Sequence, residues 1–285
     1  IAFISLGLPD SLLGSAWPVM QKQFDVPLSY AGIVTMTIAA GTIISSLMSD
    51  KITRRFGAGL VTAVSVFMTA AALFGFSAAN SFWIICLWAI PYGLGAGAVD
   101  AALNNFVALH YASRHMSWLH CFWGVGASAS PYIMSHYLMG GLGWNGGYRA
   151  VALIQMVLTA ALFLSIPLWK GKTAPQSSEK QNKEPKSLKH TLHIKGVKLV
   201  LFTFFSYSAL ESTAGLWASS YLVRYRELDV ESAASFAALF FLGITGGRFL
   251  SGFIADKVGD QRLIRFGIFT IVFGIIMTAL PVGGN

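Results

Sequence analysis

The chain has 285 residues, of which 55% are hydrophobic and only 11% are charged, whereas a soluble globular domain carries about 25% charged residues. This composition excludes a disordered chain, a nucleic-acid-binding protein and most soluble enzymes. The net charge of +8 lies mainly between apolar segments, so it indicates membrane topology rather than an anionic partner. With a mean hydropathy of +0.62 and apolar runs of about 20 residues, the chain is predicted to be an all-α polytopic membrane protein.

Nine membrane spans are predicted along the chain, separated by glycine, proline and charge clusters. The first span lacks the basic start and the small-residue cleavage pattern of a signal peptide, so it is predicted to be a functional helix. Pro9 removes a backbone donor there and is expected to kink this span. The spans cover residues 1–21, 29–49, 58–79, 82–109, 117–139, 149–169, 197–223, 232–254 and 263–282.

Lysine and arginine residues are divided unequally between the two sides of the predicted membrane. The loops after spans two, four, six and eight hold fifteen of them, whereas the opposite loops hold four: Lys22, Arg149, Arg224 and Arg226. The positive-inside rule places the first group of loops in the cytoplasm, together with the N-terminus and the segment 170–196. The predicted location is the cell membrane.

The segment 170–196 is polar and rich in lysine, and it is the predicted cytoplasmic linker between two bundles, 1–169 and 197–285. The sequences of the two bundles are similar at two places. The run from Asp10 to Trp17 resembles the run from Glu211 to Trp217, and the run from Ser46 to Lys51 resembles the run from Gly252 to Lys257. Parallel six-helix repeats of this kind build transporters whose substrate site lies between the halves. A second bundle of three helices is incomplete, so we expect the sequence to be truncated.

The loops that follow spans two and eight resemble a motif of the major facilitator superfamily, Gly-x-x-x-Asp-(Arg/Lys)-x-Gly-(Arg/Lys)-(Arg/Lys). The motif runs from Ser46 to Arg55 with both glycines replaced, and again from Gly252 to Gly259. The resemblance covers the whole chain and implies the major facilitator fold, with two six-helix pseudo-repeats of which the second stops after its third helix. It also implies a conformational clasp on the cytoplasmic side, assigned to Asp50, Lys51, Arg54, Arg55, Asp256, Lys257 and Arg248. Alternatively, these charged residues only set the orientation of the helices in the membrane, and their side chains extend to the lipid headgroups.

A narrower resemblance is to the fucose-permease branch of sugar and proton symporters. The run from Gly93 to Val107 is similar to that branch's fourth helix, in which Asp100 takes the place of a proton-carrying Glu. Leu8-Pro9-Asp10 falls where the branch has Leu-Asn-Asp in its first helix. His120 and Glu211 each replace a Gln of the branch, so the resemblance does not imply fucose itself.

Three of the twelve acidic residues fall inside predicted spans, namely Asp10, Asp100 and Glu211. A charged side chain at the centre of a membrane helix costs about 2.5–3.5 kcal/mol on insertion scales, so such residues usually have a function. Asp100 shares a helical face with Asn104 and is the leading candidate for proton coupling, followed by Asp10 and Glu211. The alternatives are a structural acid held by Asn104 or His120 and, for Asp10, a hydrogen bond between packed helices.

Substrate contacts are predicted at polar and aromatic residues of the cavity-lining spans: Asp10, Asn104, His120, Trp123, Trp17, Glu211 and Trp217. Tryptophan rings stack on apolar sugar faces, although many membrane tryptophans belong to the interfacial belts. A packing role is the alternative for His120. Arg248 either pairs with a carboxylate or snorkels from its span. No metal site and no cofactor are predicted, because neither cysteines nor histidines have ligand spacing.

Together these features predict a secondary active transporter that works by alternating access and imports a small polar solute, a sugar, with a proton. It is expected to act as a monomer and not as an enzyme, since no covalent chemistry is needed. Two alternatives remain. A proton-antiporting exporter of amphipathic compounds would use the same acids in a greasier cavity, and a membrane sensor would bind its ligand without cycling.

Overall fold

The computed structural model describes residues 2–111, 113–169 and 192–280, so most of the predicted linker, residues 170–191, lies outside the described residues. All regular structure in the described ranges is helical, which confirms the predicted fold class. A short 3₁₀ turn, Leu28–Tyr30, precedes α3. The helices are α1 (Ala2–Asp10), α2 (Leu12–Gln23), α3 (Ala31–Phe56), α4 (Ala58–Ser77), α5 (Phe82–His110), α6 (Ser113–Met139), α7 (Gly143–Trp169), α8 (Val197–Tyr225), α9 (Val230–Val258) and α10 (Asp260–Ala279).

Seven of the described helices are long and apolar enough to cross a membrane, namely α3, α4, α5, α7, α8, α9 and α10. The first predicted span is broken at Ser11, two residues after Pro9, into the short helices α1 and α2. The predicted kink is therefore confirmed. The fifth predicted span, α6, falls outside the apolar set because polar side chains such as His120, Ser128 and Ser130 recur along it. The helices α1 and α2 fall outside the same set because each is too short to cross a membrane alone, and both pack against α6.

The connections that follow α3 and α9 have the same conformation. Each helix ends in a single glycine, Gly57 or Gly259, and a helix of 20 residues begins at the next position. The φ angle is +82° at Gly57 and +84° at Gly259, in the region that favours glycine. Each glycine donates its N–H to the carbonyl oxygen four residues earlier. The two sides of the linker thus share one helix–glycine–helix geometry, as a repeat requires.

The second predicted span was expected to end at residue 49, but α3 continues to Phe56. The reason lies in the loop motif, where the first copy has Thr53 in the place of the motif's second glycine. Thr53 can remain helical, so the helix runs about one turn further, to the glycine at Gly57. In the second copy of the motif, the motif's second glycine is present as Gly259, and α9 ends there.

The helix packing brings the two sides of the linker together. Before the linker, α1 packs on α6, α3 on α5, and α4 on both α5 and α7; across it, α6 packs on α9 and α2 on α8. We call the end of the bundle next to Trp169 and Val197 the linker end and the opposite end, next to Gln23 and Arg224, the far end. A large buried cluster around Trp17, Trp144 and Tyr148 fills the far end, and a smaller one around Phe3 and Leu162 fills the linker end.

Polar contacts close the two halves against each other at the far end. Ser235 donates to the hydroxyl of Ser135 at 2.9 Å, and Arg224 donates to the side-chain oxygen of Gln21 at 3.1 Å. Halfway along the bundle, Gly14 of α2 lies against the backbone of Gly215 of α8. The linker-end part of α8, residues 197–210, is exposed almost throughout. Helix α8 is thus packed against the first half toward the far end and not at the linker end, whereas α6 and α9 pack along most of their length.

Candidate functional site

A cavity of about 300 Å³ lies between the two halves, near the middle of the bundle. It is lined from six helices, α1, α3, α5 and α6 before the linker and α8 and α9 after it. All three acids that the sequence places inside spans reach this cavity. Its polar and aromatic lining residues include Asp10, Thr42, Tyr92, Asp100, His120, Trp123, Glu211 and Arg248.

Asp10 is the last residue of α1, immediately before the break at Ser11, and both of its carboxylate oxygens accept hydrogen bonds from other helices. The hydroxyl of Tyr92 donates to Oδ1 at 2.9 Å, and the indole N–H of Trp123 donates to Oδ2 at 2.8 Å. Hydrogen bonds to a charged group are each typically worth about 1.5–3 kcal/mol, so the carboxylate is held firmly. Asp10 therefore both joins packed helices and lines the cavity.

Arg248 lies in the cavity rather than in the cytoplasmic clasp to which the sequence assigned it. Its Nη2 atom is 3.5 Å from Oε2 of Glu211 and donates to the hydroxyl of Tyr207 at 3.2 Å. Its guanidinium carbon lies 4.8 Å from the centroid of the Trp123 ring. Because α9 continues for another ten residues to Val258, Arg248 is about 15 Å inside the helix end at 1.5 Å per residue. The structure thus shows the ion pair rather than the snorkelling alternative.

Asp100 and Asn104 are joined one turn apart on α5, as their spacing predicted. The Asn104 side chain donates to Oδ1 of Asp100 at 3.0 Å. The Asp100 side chain is exposed to the cavity, and its second oxygen has no hydrogen-bond partner within the described ranges. Asn104 does not line the cavity itself. It orients Asp100 and is not placed to touch a solute.

The predicted aromatic contacts fall into two groups. Trp123 lines the cavity, and so does His120, whose ring meets Phe3 edge to face with centroids 5.4 Å apart. Trp17 is fully buried and donates its indole N–H to the carbonyl of Leu28 at 2.8 Å. Trp217 is half-buried against the same far-end cluster. Trp17 and Trp217 therefore do not line the cavity, and we do not retain them as substrate contacts.

The clasp expected from Asp50 takes a different form. Asp50 pairs with Arg54 one turn on within α3, and the two side chains are 64% and 68% exposed. Lys51, Arg55 and Lys257 are also exposed. No hydrogen bond joins Asp50 to a neighbouring helix among the described residues, and the side chain of Asp256 lies outside them. Among the described residues, Asp50 thus forms no interhelical clasp in this conformation.

Tyr92 and Tyr207 are site residues that the sequence reasoning missed. Tyr92 lies two turns before Asp100 on α5, and Tyr207 lies one turn before Glu211 on α8, so each shares a helical face with a predicted acid. That spacing was the available signal. Each tyrosine hydroxyl contacts the charged network of the cavity, Tyr92 through Asp10 and Tyr207 through Arg248.

Comparison with known proteins agrees with this architecture. The chain matches the Major Facilitator Superfamily over residues 1–285. The protein therefore belongs to the Major Facilitator Superfamily, and the multi-pass membrane character predicted from its apolar helices follows from that membership.

Three relatives give the range of proteins that the chain resembles. It is 24% identical to the hexuronate transporter of Bacillus subtilis, covering 97% of this chain and 68% of that protein. It is 21% identical to the glucose/mannose transporter GlcP of the same organism, covering 96% and 69%. It is 22% identical to bypass of stop codon protein 6 of Saccharomyces cerevisiae, covering 92% of this chain but only 57% of the yeast protein.

Proposed function

We propose that the protein is a secondary active transporter that works by alternating access and imports a small neutral sugar together with a proton. The observation that carries the proposal is the convergence of Asp10, Asp100, Glu211 and Arg248 on one cavity between the two halves. Membership of the superfamily supports transport in general. The resemblance to the fucose-permease branch and the similarity to a glucose/mannose transporter favour a sugar.

The charges of the cavity favour a neutral solute over an anionic one. Three carboxylates line it, those of Asp10, Asp100 and Glu211. Among the described lining residues, Arg248 alone carries a fixed positive charge. An anion would enter against this excess of negative charge, whereas sugar hydroxyls can donate hydrogen bonds to carboxylates. The Trp123 ring offers an apolar face beside them. The volume of about 300 Å³ is at the lower end of small-molecule sites.

Among the three acids, Asp100 is the one suited to carry the proton. Both oxygens of Asp10 accept hydrogen bonds, which a proton on the carboxylate would weaken, and Glu211 pairs with Arg248. Asp100 has one oxygen without a partner in the described structure, so it can be protonated without breaking an existing contact. A proton that enters down a potential of 100 mV supplies about 2.3 kcal/mol, which is enough to accumulate a neutral solute severalfold.

The arrangement of the halves supports alternating access. Two described hydrogen bonds, Ser235 to Ser135 and Arg224 to Gln21, join the halves at the far end, which the lysine and arginine distribution predicts to face the cell exterior, whereas the linker-end part of α8 is exposed. The conformation is then one that is closed to the outside. Reopening there requires the α2–α8 contact to separate while the cavity network that joins Asp10, Trp123 and Arg248 rearranges.

The proposal is tested by uptake into proteoliposomes under an imposed inward proton gradient. Labelled neutral hexoses and 6-deoxyhexoses are compared with a uronate, which carries the same ring plus a negative charge. We expect a neutral sugar to accumulate, Asp100→Asn to abolish gradient-driven accumulation but keep sugar exchange, and the loop variant Asp25→Asn to behave like the wild type. Uptake of the uronate without any neutral sugar would contradict the solute class. Accumulation by Asp100→Asn equal to that of wild type would contradict the proton role.

The exporter alternative is distinguished by the direction of the gradient. An antiporter accumulates its solute when protons leave the vesicle, and amphipathic compounds should then compete better than sugars. The cavity's three carboxylates and the hydroxyl of Tyr92 favour the polar solute. A sensor would bind a sugar but show no exchange in either direction.

A further inference from the structure

A second polar pocket lies at the far end of the bundle, where α2 and α8 meet. It has a volume of about 370 Å³ and is lined by Pro18, Gln21, Lys22, Leu28, Ser220, Val223 and Arg224. Lining residues come from both sides of the linker, so the pocket belongs to the junction between the halves. It shares no lining residue with the central cavity.

The polar side chains of this far-end pocket are dominated by hydrogen-bond donors. Lys22 and Arg224 carry positive charge and no acceptor, and the Ser220 hydroxyl is a donor as well as an acceptor. The side-chain oxygen of Gln21 already accepts from Arg224 at 3.1 Å, which leaves its NH₂ group as a donor. None of the described residues that line the pocket carries a carboxylate. This set fits a ligand that is negatively charged and rich in acceptors.

Ser220 is the sign that a polar ligand belongs there. The residue is only 3% exposed, and its hydroxyl oxygen has no hydrogen-bond partner in the described part of the chain. Buried hydroxyl groups nearly always have a partner, so an unpartnered one that lines a pocket needs an explanation. The adjacent Ser219 shows the ordinary case, since its hydroxyl donates to the carbonyl of Ala233.

Cations such as Lys22 and Arg224 are uncommon on this side of the molecule, and no described carboxylate neutralises either of them. Only four lysines and arginines occur on the predicted outer side, and two of them line this pocket. Neither Lys22 nor Arg224 has a carboxylate within ion-pair distance among the described residues. The nearby loop acids Asp25 and Glu227 are not lining residues, and Asp229 instead caps α9 by accepting from the N–H of Ser232.

We propose that the far-end pocket binds a small oxyanion, with Lys22 and Arg224 providing the charge and Ser220 a hydrogen bond. A phosphate or carboxylate group satisfies all three partners, and the phosphate of a lipid headgroup has the same chemistry as free phosphate. Since Lys22 belongs to α2 and Arg224 to α8, a bound oxyanion contacts both halves. It therefore stabilises the conformation in which the far end is closed. This site is independent of which solute the central cavity takes.

The test measures the binding of inorganic phosphate to the full chain in nanodiscs of phosphatidylcholine. The readout is the shift of the thermal melting midpoint with phosphate concentration at constant ionic strength. We expect a saturable rise in the wild type. Lys22→Gln and Arg224→Gln should each weaken binding about tenfold or more, and the conservative Ser220→Ala about threefold to tenfold. Arg149→Gln removes an exposed cation from the same predicted side but outside the pocket, so it should bind phosphate like the wild type.

A second arm separates the two sources of the ligand. If nanodiscs that contain phosphatidylglycerol stabilise the wild type but not Lys22→Gln or Arg224→Gln, and free phosphate does not, the oxyanion is a lipid headgroup. The proposal is overturned if neither phosphate nor phosphatidylglycerol stabilises the protein. It is equally overturned if all variants, including Arg149→Gln, respond alike, because that result reports general ionic screening. Transport measurements play no part in either arm, so failure here leaves the proposed function standing.

Discussion

The close approach of Gly14 to α8 predicts that a single methyl group at this position will loosen the far-end closure. A Cβ atom at residue 14 would overlap the carbonyl oxygen of Gly215 and lie 3.1 Å from that of Leu216. Both neighbours are backbone atoms, which cannot rotate away. Gly14→Ala must therefore move α2 and α8 apart where the two halves meet.

The size of this effect follows from the cost of overpacking. Inserting a methyl group into a well-packed contact typically costs about 1–3 kcal/mol. If that cost falls on the closed conformation alone, the ratio of open to closed molecules rises about 5-fold to 150-fold. Alanine also has a higher helix propensity than glycine, by about 1 kcal/mol. The control variant must therefore replace another helical glycine by alanine, at a position where the added methyl group meets no neighbouring atom.

The separation of α2 and α8 is measured as the distance between two spin labels by electron–electron double resonance. Nitroxide labels at Ser29→Cys and Tyr225→Cys, in a chain with Cys86→Ser and Cys121→Ser, report the separation of the two halves at the far end. We expect Gly14→Ala to shift the distribution to longer distances. Gly32→Ala has nothing within 4 Å of its added carbon and should not. Identical distributions for the two alanine variants would show that the Gly14 contact does not hold the two halves together.

Three further predictions concern the charged groups. Trp123→Phe keeps the ring beneath Arg248 but removes the N–H donor to Asp10, so it should lower the free energy of unfolding by about 1–3 kcal/mol in melting experiments. Arg248→Gln leaves Glu211 unpaired and should destabilise the protein more than the double variant with Glu211→Gln, which a double-mutant cycle detects. Hydrogen bonds at the start of α9 lower the pKa of Asp229 below its usual value of about 4. The stabilisation that Asp229 provides as a cap is therefore complete above that usual value and is lost as the pH falls through the lowered pKa. The difference in melting temperature between wild type and Asp229→Ala should accordingly disappear in acid.

The positions of the helices could be predicted from the sequence because a bilayer requires about 20 apolar residues for each crossing. The spans predicted at 58–79 and 82–109 correspond to Ala58–Ser77 and Phe82–His110. The largest differences occur where a helix continues into polar residues. α7 begins at Gly143 rather than 149, since hydropathy alone does not distinguish a polar first turn from a loop.

The site could be predicted in part, because a charge inside a span is costly enough to identify its residue as functional. Asp10, Asp100 and Glu211 were recognised in this way, and all three line the cavity, whereas Arg248 was assigned to the cytoplasmic clasp and lines the cavity instead. The tryptophans could not be sorted by the same reasoning. Trp17 and Trp123 both fall in spans that were expected to line the cavity, but the break at Ser11 separates Trp17 from the cavity helix α1, and its indole is buried at the far end. Tertiary packing decides such cases.

In the proposed mechanism a proton accompanies the solute, and Asp100 carries it. The most direct test adds a sugar to de-energised proteoliposomes containing the full chain and records the external pH. We expect the medium to become more alkaline when a transported sugar is added, and Asp100→Asn to abolish this change while sugar exchange continues. Sugar entry without any pH change, or with an unaltered pH change in folded Asp100→Asn, would rule out proton coupling through Asp100.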